Sequence, residues 1–156
     1  MRKTDREIHG LAALCAVMQN CDVCYLSLFD EGYPYVLPLN FGVELREEQV
    51  VLYFHCAGEG KKLELLAANQ HVGFSMSCGH ELKTDDLACR YSIAFESVCG
   101  NGTLMVVHDA EKLHALTVLM QNYSREHSFE FDPRVVAITT VLKLTVNTLT
   151  GKRLAK

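Results

Sequence analysis

Apolar and polar positions along the chain fall into short alternating runs more often than into helical stripes. Residues 11–18 form an apolar run that Gln19, Asn20 and Asp22 close early, which predicts an amphipathic helix. Residues 23–29 read as a strand, and Asp30-Glu31-Gly32-Tyr33-Pro34 as a turn punctuated by glycine and proline. Residues 35–45 read as a second strand interrupted at Pro38, where the missing backbone donor requires a sheet edge or a bulge. Glu47-Glu48 marks a tight turn before a third strand, residues 49–55, rich in β-branched and aromatic side chains. Cys56-Ala57-Gly58-Glu59-Gly60 is a flexible loop, and residues 61–69 a short helix with Leu63, Leu66 and Ala67 on one face. A fourth strand is expected at 71–78 and a polar loop at 79–90. Residues 91–108 are long for one strand, and Gly100-Asn101-Gly102 predicts a bulge or bend within it. Asp109 is placed to cap a helix over 110–126 with Leu113, Leu116, Met120 and Tyr123 as its buried stripe. A connection at 129–133 leads into a β-rich stretch at 135–149, and Gly151-Lys152-Arg153 reads as a basic tail.

This order of elements lacks the regular strand–helix alternation of a parallel doubly wound sheet. It fits a mainly β, α+β chain: an antiparallel barrel with peripheral helices. The 156 residues suit one domain, 1–156. Folding at this length removes roughly 70% of the chain's surface from water, and a 49% hydrophobic content supplies the core. A net charge of −4 lacks the basic excess that nucleic-acid binding wants. No apolar run reaches the ~18 residues of a membrane span, and the charged start lacks a signal-peptide core. A cytoplasmic location is expected. The seven cysteines, at 15, 21, 24, 56, 78, 89 and 99, are odd in number and irregular in spacing, which argues against a disulfide framework.

The chemistry concentrates between residues 35 and 66. Leu52-Tyr53-Phe54-His55 leads through a glycine-bearing loop into a helix that opens with Lys61-Lys62. Glycines let a backbone approach a ligand, and the free N–H groups and positive dipole end of a helix attract an anion. Two lysines at that end suit a phosphate monoester. The bland alternative is a surface loop followed by surface lysines, and the spacing matches neither the P-loop nor the Rossmann pattern.

Residues 35–66 resemble the flavin-binding region of the pyridoxamine-phosphate-oxidase-like superfamily, and more closely its nitroimidazole-resistance branch. Supporting stretches are Tyr91-Ser92-Ile93-Ala94-Phe95-Glu96-Ser97-Val98-Cys99-Gly100-Asn101-Gly102, Leu149-Thr150-Gly151-Lys152-Arg153 and the charged start from Arg2 to Ile8. The resemblance implies an FMN-binding split barrel that holds FMN between the subunits of a homodimer. It implies that Val36, Leu37, Pro38, Leu39 and Asn40 lay their backbone beside the flavin ring, Pro38 freeing neighbouring groups for it. Phe54 and His55 would lie against the ring and its ribityl chain, with His55 as the candidate catalytic residue. Lys61 and Lys62 would hold the phosphate, Lys62 foremost. Ser97 and Val98 would approach from the long strand of either subunit, and Arg153 is a weaker candidate for the phosphate or the dimer face.

Each has a structural alternative: Pro38 blunts an edge, His55 is a strand-end histidine, Ser97 is an ordinary strand residue, and Asn101 and Gly102 belong to a bulge. His108, His114 and His127 are expected to face solvent. The activity implied is FMN-dependent reduction of small nitroaromatic, nitroimidazole-like compounds, for which a nicotinamide could serve as electron donor. Strict pyridoxamine-phosphate oxidation is not expected, because the chain ends without the histidine of that substrate motif. The alternatives are a non-enzymatic flavin- or haem-binding module, with His55 or His71 as axial ligand, and a metal-binding structural protein. Cys21-x-x-Cys24, with Cys78, His80 and Cys89, lacks the second paired motif that a structural zinc wants.

Overall fold

The structure is a computed structural model that describes residues 4–108, 110–124, 126 and 128–155. The expected Asp109 cap, the position of His127, and Arg2 and Lys3 of the charged start lie outside the described residues. After a 3-10 turn at Thr4–Arg6, the elements are β1 (Glu7–Ile8), α1 (Leu11–Gln19), β2 (Cys24–Asp30), β3 (Tyr33–Leu39), β4 (Gly42–Arg46) and β5 (Gln49–Cys56). Then come α2 (Lys61–Ala68), β6 (His71–Lys83), a second 3-10 turn, β7 (Ser92–Val107), α3 (Ala110–Gln121), α4 (Pro133–Ile138) and β8 (Thr140–Leu154).

Seven strands pair antiparallel in the order β3-β2-β6-β7-β8-β5-β4, with β1 added along β8. The two edges, β3 and β4, are consecutive in the chain and joined by Asn40 and Phe41 without pairing to each other. The sheet therefore curls into a barrel that stays open along one seam, the split antiparallel architecture expected from the sequence. Inside it α1 buries Leu14, Cys15, Val17 and Met18 against Leu26, Phe41, Leu52, Phe54, Met76, Val98 and Leu144. A second core lies outside the wall, where Ala115, Leu116 and Val118 of α3 cover Val51, Tyr53, Val107 and Val141. The continuous apolar run of β5 follows from this, since a strand covered on both faces has no polar side.

Two hairpins use two-residue turns with positive φ at both positions, the mirror-image geometry that matches strand twist. The first has Glu31 at 44° and Gly32 at 97°, and the second Glu47 at 45° and Glu48 at 68°. The predicted irregularity at Gly100-Asn101-Gly102 is a register shift between Asn101 and Gly102 in the β7–β8 ladder.

Several expectations needed correction. The second strand breaks at Asn40-Phe41, not at Pro38, because the chain there crosses from one edge of the seam to the other. The polar stretch after Cys78 continues as strand to Lys83, past a register shift between Cys78 and Glu81. The basic tail is the end of β8, paired with both β7 and β1. Helix α3 stops at Gln121, and its buried face is Ala115, Leu116, Val118 and Leu119, while Leu113 and Tyr123 are exposed. In α2 only Leu66 of the expected stripe is buried.

The Gly42 backbone explains the α3 face: a Cβ at Gly42 would come within 2.6 Å of the Leu119 backbone, so α3 seats itself against a strand with no side chain there. Residues 133–138 form a helix where a connection and a strand start were expected. Asp132 accepts the Arg134 N–H at 2.9 Å as its N-cap, with Pro133 beginning the helix.

Candidate functional site

Strand β5 ends with His55 exposed beside Cys56, and the chain turns through Ala57 to Gly60 into α2. Gly60 caps α2 at φ 122°, a conformation open to glycine, and no side chain among the described residues makes a capping hydrogen bond at that end. His55, Cys56, Ala57, Gly58, Glu59 and Lys62 line an open cleft of about 760 Å³ whose opposite wall is Ile138 and Thr139 from the α4–β8 junction. The glycine-bearing loop and one lysine from the first turn of α2 thus line a single concavity, and Glu59 is its one opposing charge.

The two lysines have separate duties. Lys61 turns away from the cleft, pairs with Asp30 at the end of β2 and lies 5.2 Å from the centre of the Tyr35 ring. The hydrogen bond to Asp30 raises its pKa above the usual lysine value. Lys62 lines the cleft and has no ion-pair partner among the described residues. Lys61 acts as the strut between α2 and the β2–β3 hairpin, and Lys62 is left to face the cleft.

Strand β3 has one free edge. In a two-residue hairpin the residues flanking the turn form a hydrogen-bonded pair, and hydrogen-bonded pairs then alternate along the ladder. With Asp30 opposite Tyr33, the N atoms of Pro34, Val36 and Pro38 all face away from β2. Pro38 pairs with Tyr25 without breaking the ladder, so it blunts the edge and does not release neighbouring groups. The free edge presents one donor, the N–H of Val36, between the carbonyls of Pro34 and Pro38. Val36, Pro38 and Asn40 face outward, while Leu37 and Leu39 pack against the core.

Other predicted site residues stand apart. Phe54 and Val98 are completely buried in the barrel core. Ser97 is half-buried between Ser77 and Lys152 in the ladder, and neither it nor residues 36–40 line the Lys62 cleft. Arg153 is engaged in an ion pair with Glu96. Ile138 and Thr139 were missed, although Asp132-Pro133 carried a legible helix-start signal ahead of them.

A cluster absent from the sequence reading ties α3 to the wall. Glu44 Oε2 accepts from Arg46 at 2.6 Å and Tyr53 at 3.3 Å and meets His114 Nε2 at 3.0 Å; Glu111 Oε1 accepts from Lys143 at 2.7 Å and Tyr53 at 3.4 Å. Among the described residues no group of three or more His, Cys, Asp or Glu side chains is arranged to hold a metal ion. No helix among them is long and apolar enough to cross a membrane.

Residues 11–153 match the pyridoxamine 5'-phosphate oxidase family. The chain belongs to this family. Among solved structures, a proposed 5-nitroimidazole antibiotic resistance protein from Bacteroides thetaiotaomicron is 34% identical, over 94% of this chain and 85% of that one, with a TM-score of 0.79. The flavocytochrome Anf3 from Azotobacter vinelandii shares the fold at 19% identity and a TM-score of 0.78, over 100% of this chain and 72% of that one. The FAD and heme binding protein from Mycobacterium smegmatis does so at 18% and 0.81, over 95% and 73%. Among curated proteins none matches. Lys61 links α2, which borders the cleft, to the β2–β3 hairpin, which carries the free edge.

Proposed function

We propose that the chain binds FMN and reduces small nitroaromatic, nitroimidazole-like compounds as a homodimer. The observation that carries the flavin reading is the uncapped N-terminus of α2 with the unpaired Lys62 facing the same cleft as Gly58. The donor set fits the group: a doubly charged phosphate meets one cation and several N–H groups. The 34% identity to the Bacteroides thetaiotaomicron protein supports the nitroimidazole-like substrate class.

In this reading Lys62 and the first turn of α2 hold the phosphate, and Lys61 fixes the helix against Asp30 so that this turn stays in place. The Val36 N–H and its flanking carbonyls orient the ring edge, with Ser97 contributed by either subunit. His55, which lines the cleft, donates a proton to a substrate oxygen. Bound flavin supplies the redox chemistry, and a nicotinamide serves as the electron donor. Dimerisation covers a ring that one open barrel would leave exposed.

The absorption spectrum of the purified protein tests the cofactor, and HPLC of the released pigment separates FMN from FAD. Reduced protein is then mixed anaerobically with a nitroimidazole, and prompt reoxidation of the flavin is expected. Flavin that stays reduced for minutes overturns the reductase reading. A Soret band would instead select the haem-binding alternative.

A further inference from the structure

Cys21 follows the last turn of α1, and Cys78 sits at the register shift of β6. The two are far apart in sequence, yet both thiols donate to one acceptor, the Val17 carbonyl, at 3.3 Å from Cys21 and 3.7 Å from Cys78. Sharing that oxygen brings the two side chains close enough for each thiol to bear on the other's ionisation. Cys21 is only 2% exposed, whereas Cys78 is half-buried and reachable from solvent.

We infer that Cys21 and Cys78 form an oxidisable dithiol, a modification site at which a low-molecular-weight disulfide such as oxidised glutathione installs a covalent staple between α1 and β6. The accessible Cys78 attacks first, as its thiolate. A bond forms between its sulfur and one glutathione sulfur, and the other glutathione leaves as a thiolate. Cys21 then attacks the Cys78 sulfur, the mixed disulfide breaks, and the second glutathione leaves. The protons lost by the two cysteines end on the two glutathiones. The protein dithiol is oxidised by two electrons and the glutathione disulfide is reduced by two.

The surroundings shape the rate and the stability of the staple. Burial raises both thiols above the usual cysteine value; each also faces Asp22, and Cys78 faces Glu96 and Arg153. A thiol with little thiolate reacts slowly. A dithiol that gains little from ionisation also gives a disulfide that resists reduction. The site is therefore a slow, persistent clamp on the helix that fills the barrel, and it is independent of any cofactor.

The full chain is incubated with oxidised glutathione, and the products are digested with trypsin without reduction. The expected result is a crosslink between peptide 7–46 and peptide 63–83, with two of the seven cysteines lost to thiol titration. Cys21→Ser and Cys78→Ser each remove the crosslink, whereas Cys24→Ser keeps it. The bridged wild type melts higher, by up to roughly 10 °C. A bridge through Cys24 or Cys15, adducts confined to the exposed Cys89 and Cys99, or a lower melting temperature in the bridged protein overturns the inference. Tandem mass spectrometry of the linked peptides, with fragments that separate Cys15, Cys21 and Cys24 within peptide 7–46, decides the matter on the wild type even where a serine variant fails to fold.

Discussion

The Tyr123 hydroxyl accepts the backbone N–H of Phe41 at 2.9 Å and donates to the Asp22 carbonyl at 2.9 Å. One side chain thereby ties the seam crossing to the segment after α1. Tyr123→Phe keeps the ring but leaves a donor and an acceptor without partners. A loss of about 1–3 kcal/mol is expected, read from urea unfolding; a change within error would mean that water replaces the hydroxyl.

The division of labour between the lysines makes a contrast. Lys62→Ala should weaken FMN binding by about 1.5–3 kcal/mol, the scale of a hydrogen bond to a charged group. Lys61→Ala should cost less affinity, since its charge already serves Asp30. Titration of apoprotein with FMN compares them, and equal losses would contradict the separation.

The Glu47-Glu48 turn holds two residues with side chains at positive φ. Glu48→Gly removes a steric conflict worth roughly 1 kcal/mol. The variant should be more stable by about that amount in chemical unfolding, and a destabilised variant would mean that the carboxylate has a partner.

Acid should loosen α3. Burial pushes the Glu44 carboxyl up, but hydrogen bonds from His114 and Arg46 outweigh it and hold it below the usual range. The Glu111 carboxyl is lowered by the hydrogen bond from Lys143. Carboxyls depressed in the folded state contribute stability that is present above their unfolded value, about 4.3, and lost as pH falls through the folded values. Unfolding free energy should drop below about pH 4.5, and Glu111→Gln should flatten that drop. An unchanged slope in the variant would remove Glu111 from the account.

The strands, the hairpin turns and the glycine bulge were legible because each rests on local chemistry: alternation, positive φ, or a missing side chain. The face of α3 was not. Leu113, Met120 and Tyr123 make as good a stripe as Ala115, Leu116, Val118 and Leu119, and the choice between them rests on Gly42, distant in sequence. For α4 the signal was present in Asp132-Pro133, but Val135 and Val136 beyond it resemble a strand. In the candidate site, the spacing singled out the loop and Lys62, and the structure places both on one cleft. The burial of Phe54 was not legible, because β5 is covered on both faces and its apolar run gives no clue to which residue points inward.

The prolines at 34 and 38 have a consequence for what can settle on the open border of the barrel. An extended peptide adding itself there needs a donor at every second residue and would meet only one, at Val36. Runaway strand addition, the usual hazard of a bare sheet margin, is thereby starved of contacts. A compact heterocycle needs no more than that one amide and its neighbouring oxygens.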